Sequence, residues 1–174
     1  PLEANTAVFY SINNALPGLR GVSFGNFLIK QVVTELNAEF PAIDTFITLS
    51  PITRMREALL DLLDNPNQHE LINALENLLG ERLRKLDNSH SEAHPLRLLD
   101  SMLQPTISDE LQQQLEPILH ELILFYLTNY KRGKHVYDHV ANFHLSNGAH
   151  IEQVNPFANI SDRGLLDSWG CMVN

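Results

Sequence analysis

Three stretches of this chain combine side chains that can do chemistry with backbone able to present them. His144 lies inside the apolar run VANFHLSNGAH (140–150), directly ahead of an Asn-Gly pair. An imidazole, with an unperturbed pKa of about 6.5, can donate a hydrogen bond to a developing oxyanion and can carry a proton near neutrality. Ser50, in FITLSPIT (46–53), closes a run rich in β-branched and aromatic residues and precedes Pro51. A hydroxyl there can orient a carboxylate or take part in proton relay, but the Gly-x-Ser-x-Gly elbow of an activated nucleophile is lacking. The third stretch, GLRGVSFGNFLIK (18–30), is a glycine-bearing loop that opens a helical pattern. Amides at a helix start are unpaired and partly positive, and glycine lets a phosphate approach them closely, with Arg20 adding one charge.

Each stretch also has a structural explanation. A tight strand-to-helix turn needs glycine whether or not it binds an anion, and the loop has the spacing of neither a Walker A motif nor a dinucleotide fingerprint. A serine at a strand end commonly caps a turn. A half-buried histidine bonded to backbone would account for His144. Singly, these explanations are the better ones. A fourth stretch, HSEAH (90–94), spaces two histidines by four, but its glutamate is misplaced for a zinc helix and it lies in the polar linker DNSHSEAHP (87–95), so no metal site is read there.

The elements that must position these residues begin with a strand at 6–12, TAVFYSI, and the loop 13–25 with Pro17, Gly18, Gly21 and Gly25. A helix at 26–40 follows from the spacing of Leu28, Ile29, Val32, Val33, Leu36 and Phe40, and Pro41 ends it. A second strand spans 43–49, so the helix is a crossover between parallel strands, whose carboxyl ends commonly gather sites. Apolar spacing of three and four predicts helices at 56–65, 68–86, 95–103 and 108–130, with Ser108 as a cap and Pro117 marking a kink or a division into two helices. Strands at 139–146 and 149–155 flank Asn147-Gly148, a strong hairpin signal. In a two-residue turn Ser146 pairs with Ala149, His144 faces Ile151 and His150 pairs with Leu145 on the opposite face; a longer, bulged turn would set His144 opposite His150. A short helix starts at Ser161. The fold class is α+β.

The chain has 174 residues and a net charge of −9, with 44% hydrophobic and 19% charged residues. That size suits one domain with a real core. The acidic balance argues against a nucleic-acid or anionic-membrane partner, which would need clustered Lys and Arg. Cys171 is the only cysteine, so no internal disulfide forms and a reducing compartment is expected. No run has the roughly 18 apolar residues of a membrane helix, and no signal peptide opens the chain. Starting at Pro1 without Met and stopping in mid-pattern at GCMVN, the sequence reads as a fragment or a domain of a longer protein.

Together, FYSINNALPGLRGVSFGNFLIKQVVTEL (9–36), FITLSPI (46–52), RGK (132–134), VANFHLSNGAHIEQVN (140–155) and SDRGLLDSWGCMVN (161–174) resemble the catalytic domain of malonyl-CoA decarboxylases, in the family's order and over roughly half the chain. The resemblance implies a GNAT-like, acyl-CoA-binding mixed sheet with a helical insertion at about 53–132. It also implies that the family's N-terminal helical domain and its C-terminal tail lie outside residues 1–174. Arg20, Gly21, Val22, Ser23, Phe24, Gly25 and Asn26 match the loop that receives the CoA pyrophosphate, while Ser50 and His144 match the catalytic serine and histidine. The implied reaction converts malonyl-CoA to acetyl-CoA and CO2, in fatty acid metabolism, with no metal or prosthetic cofactor. The implied setting is a homo-oligomer in a reducing compartment: cytoplasmic first, mitochondrial or peroxisomal also compatible. The chain departs from the family at Ser23, where an acidic residue is frequent, at Thr53, where a second proline is common, and at Pro156 and Asn159, where tryptophan and aspartate are usual. Three alternatives stay open: a GNAT-type acyltransferase, which would need an amine acceptor; a non-catalytic acyl-CoA-binding module; and a decarboxylating domain that acts on a carrier-protein thioester.

Overall fold

The computed structural model describes residues 4–10, 12, 24–65, 67–87, 92–104 and 107–174, and at 24–26 the backbone alone. The chain divides into two compact units, Pro1–Ser50 with Asn174, and Pro51–Val173.

In the first unit, strand β1 (Thr6–Tyr10) and strand β2 (Thr45–Pro51) run parallel, in register from Thr6 opposite Thr45 to Tyr10 opposite Leu49. Helix α1 (Phe24–Glu39) is the crossover between them, as the spacing predicts, and it stops just before Pro41. The Asn5 carbonyl accepts from the amides of Asp44 and Thr45 (3.0 and 3.1 Å), which anchors the start of β2 beside β1. Phe9 and Phe46 stack across the pair, ring centroids 6.3 Å apart. The expected strand at 6–12 is shorter than predicted, and the second strand begins and ends about two residues later, so Ser50 lies within β2 rather than just beyond it.

The second unit is built on helices α2 (Met55–Leu62), α3 (His69–Asp87), α4 (Pro95–Met102) and α5 (Asp109–Asn129), all within the block 53–132. Their leucines make its core. Leu75, Leu79 and Leu83 recur every fourth residue along α3, and Leu115, Leu119, Leu122 and Tyr126 form the matching stripe of α5. Serine caps α5, its Ser108 side chain accepting from the Leu111 amide. At α4 the cap is His94, whose ring accepts from the Leu96 amide, with Pro95 opening the helix. Pro117 does not divide α5 in two; the helix is continuous through it.

After α5 come a tight hairpin of β3 (Lys131–Arg132) and β4 (His135–Val136), helix α6 (His139–Ser146), strand β5 (Val154–Asn155), helix α7 (Asp162–Ser168) and strand β6 (Met172–Val173) antiparallel to β5. The sequence reading missed the first hairpin, in which Gly133 takes a positive φ of 64° at the turn. Helix α7 is capped by Ser161, as expected.

The expected strand at 139–146 is instead α6, and the strand at 149–155 contracts to β5. Asp138 caps the helix, its side chain accepting from the Ala141 amide at 2.8 Å. Asn147-Gly148 ends it: the amides of Asn147 and Ala149 donate to the His144 carbonyl, that of Gly148 donates to the Leu145 carbonyl, and Gly148 has φ 92°. A hairpin turn and a helix stop both require positive φ, so Asn-Gly serves either. Neither proposed pairing, of His144 with Ile151 or with His150, occurs.

The described residues give a mixed α+β fold, as the sequence predicts. No described helix is long and apolar enough to cross a membrane.

Candidate active site

Ser50 is 6% exposed and is the next-to-last residue of β2. Thr48 projects to the same strand face, and the Ser50 hydroxyl donates to Thr48 Oγ1 at 3.3 Å. Because β1 and β2 are parallel with Tyr10 opposite Leu49, Ser50 stands at the carboxyl edge of the pair, the edge from which the chain leaves β1 toward α1. Of the loop residues matched to a pyrophosphate cradle, Arg20, Gly21, Val22 and Ser23 lie outside the described residues. Phe24, Gly25 and Asn26 form the first turn of α1. That turn holds no acidic residue, and amides at a helix start carry partial positive charge.

His144 belongs to the second unit, in the last turn of α6, and is half-buried. The Phe143 ring meets it edge-on, centroids 5.1 Å apart at 77°. Burial lowers its pKa from the usual histidine value, favouring neutral imidazole. Ser50 thus belongs to β2 in the first unit and His144 to α6 in the second.

The residue that sequence reasoning missed is Asp138. It is 2% exposed and uses both carboxylate oxygens: Oδ1 accepts from the Ala141 amide, and Oδ2 accepts from the Thr53 amide (2.8 Å) and from the Thr53 hydroxyl (3.0 Å). His139 Nδ1 lies 3.1 Å from the same hydroxyl oxygen. With the hydroxyl proton directed at Asp138, Nδ1–H is the donor in that contact. The available signal was an aspartate three residues before Ala141, a helix-cap pattern that the hairpin reading concealed.

Other groups are structural. His94, with His90 outside the described residues, caps α4, and burial lowers its pKa. Burial pushes the Cys171 thiol up to about 12, which leaves it a poor nucleophile. Among the described residues no three His, Cys, Asp or Glu side chains group to hold a metal ion.

A parallel strand pair joined by a helix, followed by a leucine-packed helical unit, defines the α+β class shared with solved decarboxylase structures. Malonyl-CoA decarboxylase from Rhodopseudomonas palustris is 35% identical and aligns with a TM-score of 0.71 over 99% of this chain and 36% of its own. The protein of the same name from Cupriavidus metallidurans is 36% identical, with a TM-score of 0.72 over 97% of this chain and 40% of its own. The chain belongs to the malonyl-CoA decarboxylase family: the model of the malonyl-CoA decarboxylase C-terminal domain matches residues 1–174. Mitochondrial malonyl-CoA decarboxylase of Anser anser anser is 37% identical over 174 residues, which are 99% of this chain and 34% of that protein. Its namesake in Rattus norvegicus is 39% identical over 170 residues, 97% of this chain and 34% of that protein. The chain spans about a third of the length of these curated relatives.

Proposed function

We propose that the protein carrying this chain is a malonyl-CoA decarboxylase, releasing CO2 from malonyl-CoA to give acetyl-CoA. The observation that carries the reading is the family match across residues 1–174, with Ser50 and His144 retained inside LSPI and NFHLSNGA. Loss of CO2 leaves a carbanion conjugated with the thioester, an enolate that must be stabilised as its charge develops and then protonated at C2. A donor aimed at the thioester oxygen commonly contributes about 10²–10³ in rate. His144 is assigned as that donor and as the proton source, and Ser50 as the hydroxyl that orients the malonyl carboxylate or accepts a proton. Residues 20–26, which include the start of α1, are assigned to the CoA pyrophosphate.

Because the thioester itself delocalises the carbanion, the chemistry requires no metal or prosthetic group. A homo-oligomer in a reducing compartment, cytoplasmic or, as the relatives' names say of those proteins, mitochondrial, completes the reading, with fatty acid metabolism as its setting. The test is to incubate the full-length protein with malonyl-CoA and follow acetyl-CoA by mass. Acetyl-CoA should form without any added amine, and His144→Asn and Ser50→Ala should each cut turnover strongly with modest loss of CoA affinity. Near-normal turnover in either purified variant would sink the residue assignment, and a requirement for an amine acceptor would point to acyl transfer instead.

A further inference from the structure

Helix α6 has a costlier cap than its neighbours. Ser108 and Ser161 cap α5 and α7 from exposed positions with one hydroxyl each, whereas α6 is capped by a carboxylate that is 2% exposed. Burying a carboxylate is unfavourable unless donors surround it. A serine could satisfy the cap but has no second oxygen for another element. The second oxygen of Asp138 is committed to Thr53, through both its amide and its hydroxyl. Thr53 lies three residues after Ser50 in the sequence, and α6 carries His144. Helix α6 has only 8 residues, too short to hold itself, so its placement depends on what grips its ends. The approach of Asp138 is itself guided by aromatic contacts: Tyr137 packs on Tyr130 at 4.7 Å and donates its amide to the Tyr130 carbonyl, while Arg132 sits 5.3 Å from the Tyr137 ring centre.

Resting on the proposed decarboxylase reading, we propose that Asp138 is a positioning residue for that reaction, which locks the start of α6 to both the amide and the hydroxyl of Thr53 and touches no substrate. A shift of about 1 Å in a reacting group costs on the order of 10² in rate. In the full-length protein assayed with malonyl-CoA, Asp138→Ala should therefore lower kcat by about 10–100-fold per folded molecule while KM changes by less than about threefold. Thr53→Val should lose several-fold in kcat, and Thr53→Ser, which restores the hydroxyl, should recover most of that loss. Circular dichroism and melting curves give the folded fraction at the assay temperature. If Asp138→Ala does not fold, the Val and Ser variants at Thr53 decide the matter. An active parent protein with unchanged kcat in Asp138→Ala, a loss that appears only in KM, or equal turnover in the two Thr53 variants overturns the positioning role alone. A parent protein that makes no acetyl-CoA overturns the decarboxylase reading, and this role with it.

Discussion

The protonation state of His144 gives the reaction a pH profile that can be worked out in advance. Burial lowers its pKa below the ordinary value of about 6.5. At about pH 7.5 a histidine of ordinary pKa would be only about one-tenth imidazolium, and His144 less than that. On the proposed assignment the ring is then mostly neutral imidazole, whose N–H would hydrogen-bond the enolate oxygen, while the proton for C2 would first be taken up by the ring from solvent. Stopped-rate assays of kcat with saturating malonyl-CoA should show a plateau between about pH 7 and about pH 8.5. His144→Ala should lower that plateau by about 10²–10³ without reshaping it. His144→Asn, which keeps an N–H at a different reach, should fall between. A kcat that drops about tenfold per pH unit above about 6.5 in the parent protein, with the drop abolished in His144→Ala, would show imidazolium to be the required form and refute the reasoning. The same shift sets a sign for stability. Because the unfolded chain takes up the proton more readily, the contributions of His144 and of His94, also lowered by burial, are present above about pH 6.5 and lost as pH falls through each depressed folded value. Melts across that range should show the midpoint falling toward acid, modestly, since both rings are partly exposed.

Two substitutions test the elements around the site. Gly148→Ala should cost about 1–2 kcal/mol, because φ is 92° and an added Cβ would meet nothing within 4 Å, leaving only the backbone penalty; Gly148→Asn should cost less, and chemical denaturation midpoints would separate them. Trp169→Phe should cost about 2 kcal/mol or more, because the indole is 1% exposed and donates to Asp100 Oδ1 at 2.9 Å, where Arg56 also pairs, and a melting temperature within a degree of the parent's would contradict this.

The helices were legible because their pattern of burial is the pattern of their letters. Leu75, Leu79 and Leu83 announce α3, and the predicted bounds of α3 and α5 differ from the observed ones by one residue at each end. The unit of β1, α1 and β2 was legible for the same reason, as was the position of Ser50 at a strand's carboxyl end. Residues 139–146 were not, because two turns are too few to separate a period of two from a period of 3.6. Phe143 and Leu145 fit alternation, while Val140 with Phe143, and Ala141 with Leu145, fit a helix equally well. What decides between them is Asp138, which accepts once from the Ala141 amide and twice from Thr53, 85 residues away. Strands β3, β4 and β6 were hidden for a related reason: each is two residues long and is defined by its pairing, whereas β5 is what remains of the strand expected at 149–155.

The change from strand to helix alters what the candidate site does with His144. In a strand the ring would share a face with Asn142 and Ser146. In α6 it follows, by one turn, Val140 and the buried Ala141, so it sits beside the apolar side of the helix. Asn147-Gly148 stops the helix after Ser146, which leaves the ring in the last turn, near the negative end of the helix dipole. That end favours imidazolium. Burial works in the opposite direction and sets the sign, so the neutral donor depends on the ring being held against its apolar neighbours. The cap at Asp138 and the stop at Gly148 are then two ends of one constraint: the first fixes where α6 begins, the second ends it two residues after His144, and between them they hold the half-buried imidazole in the last turn, where burial favours its neutral form.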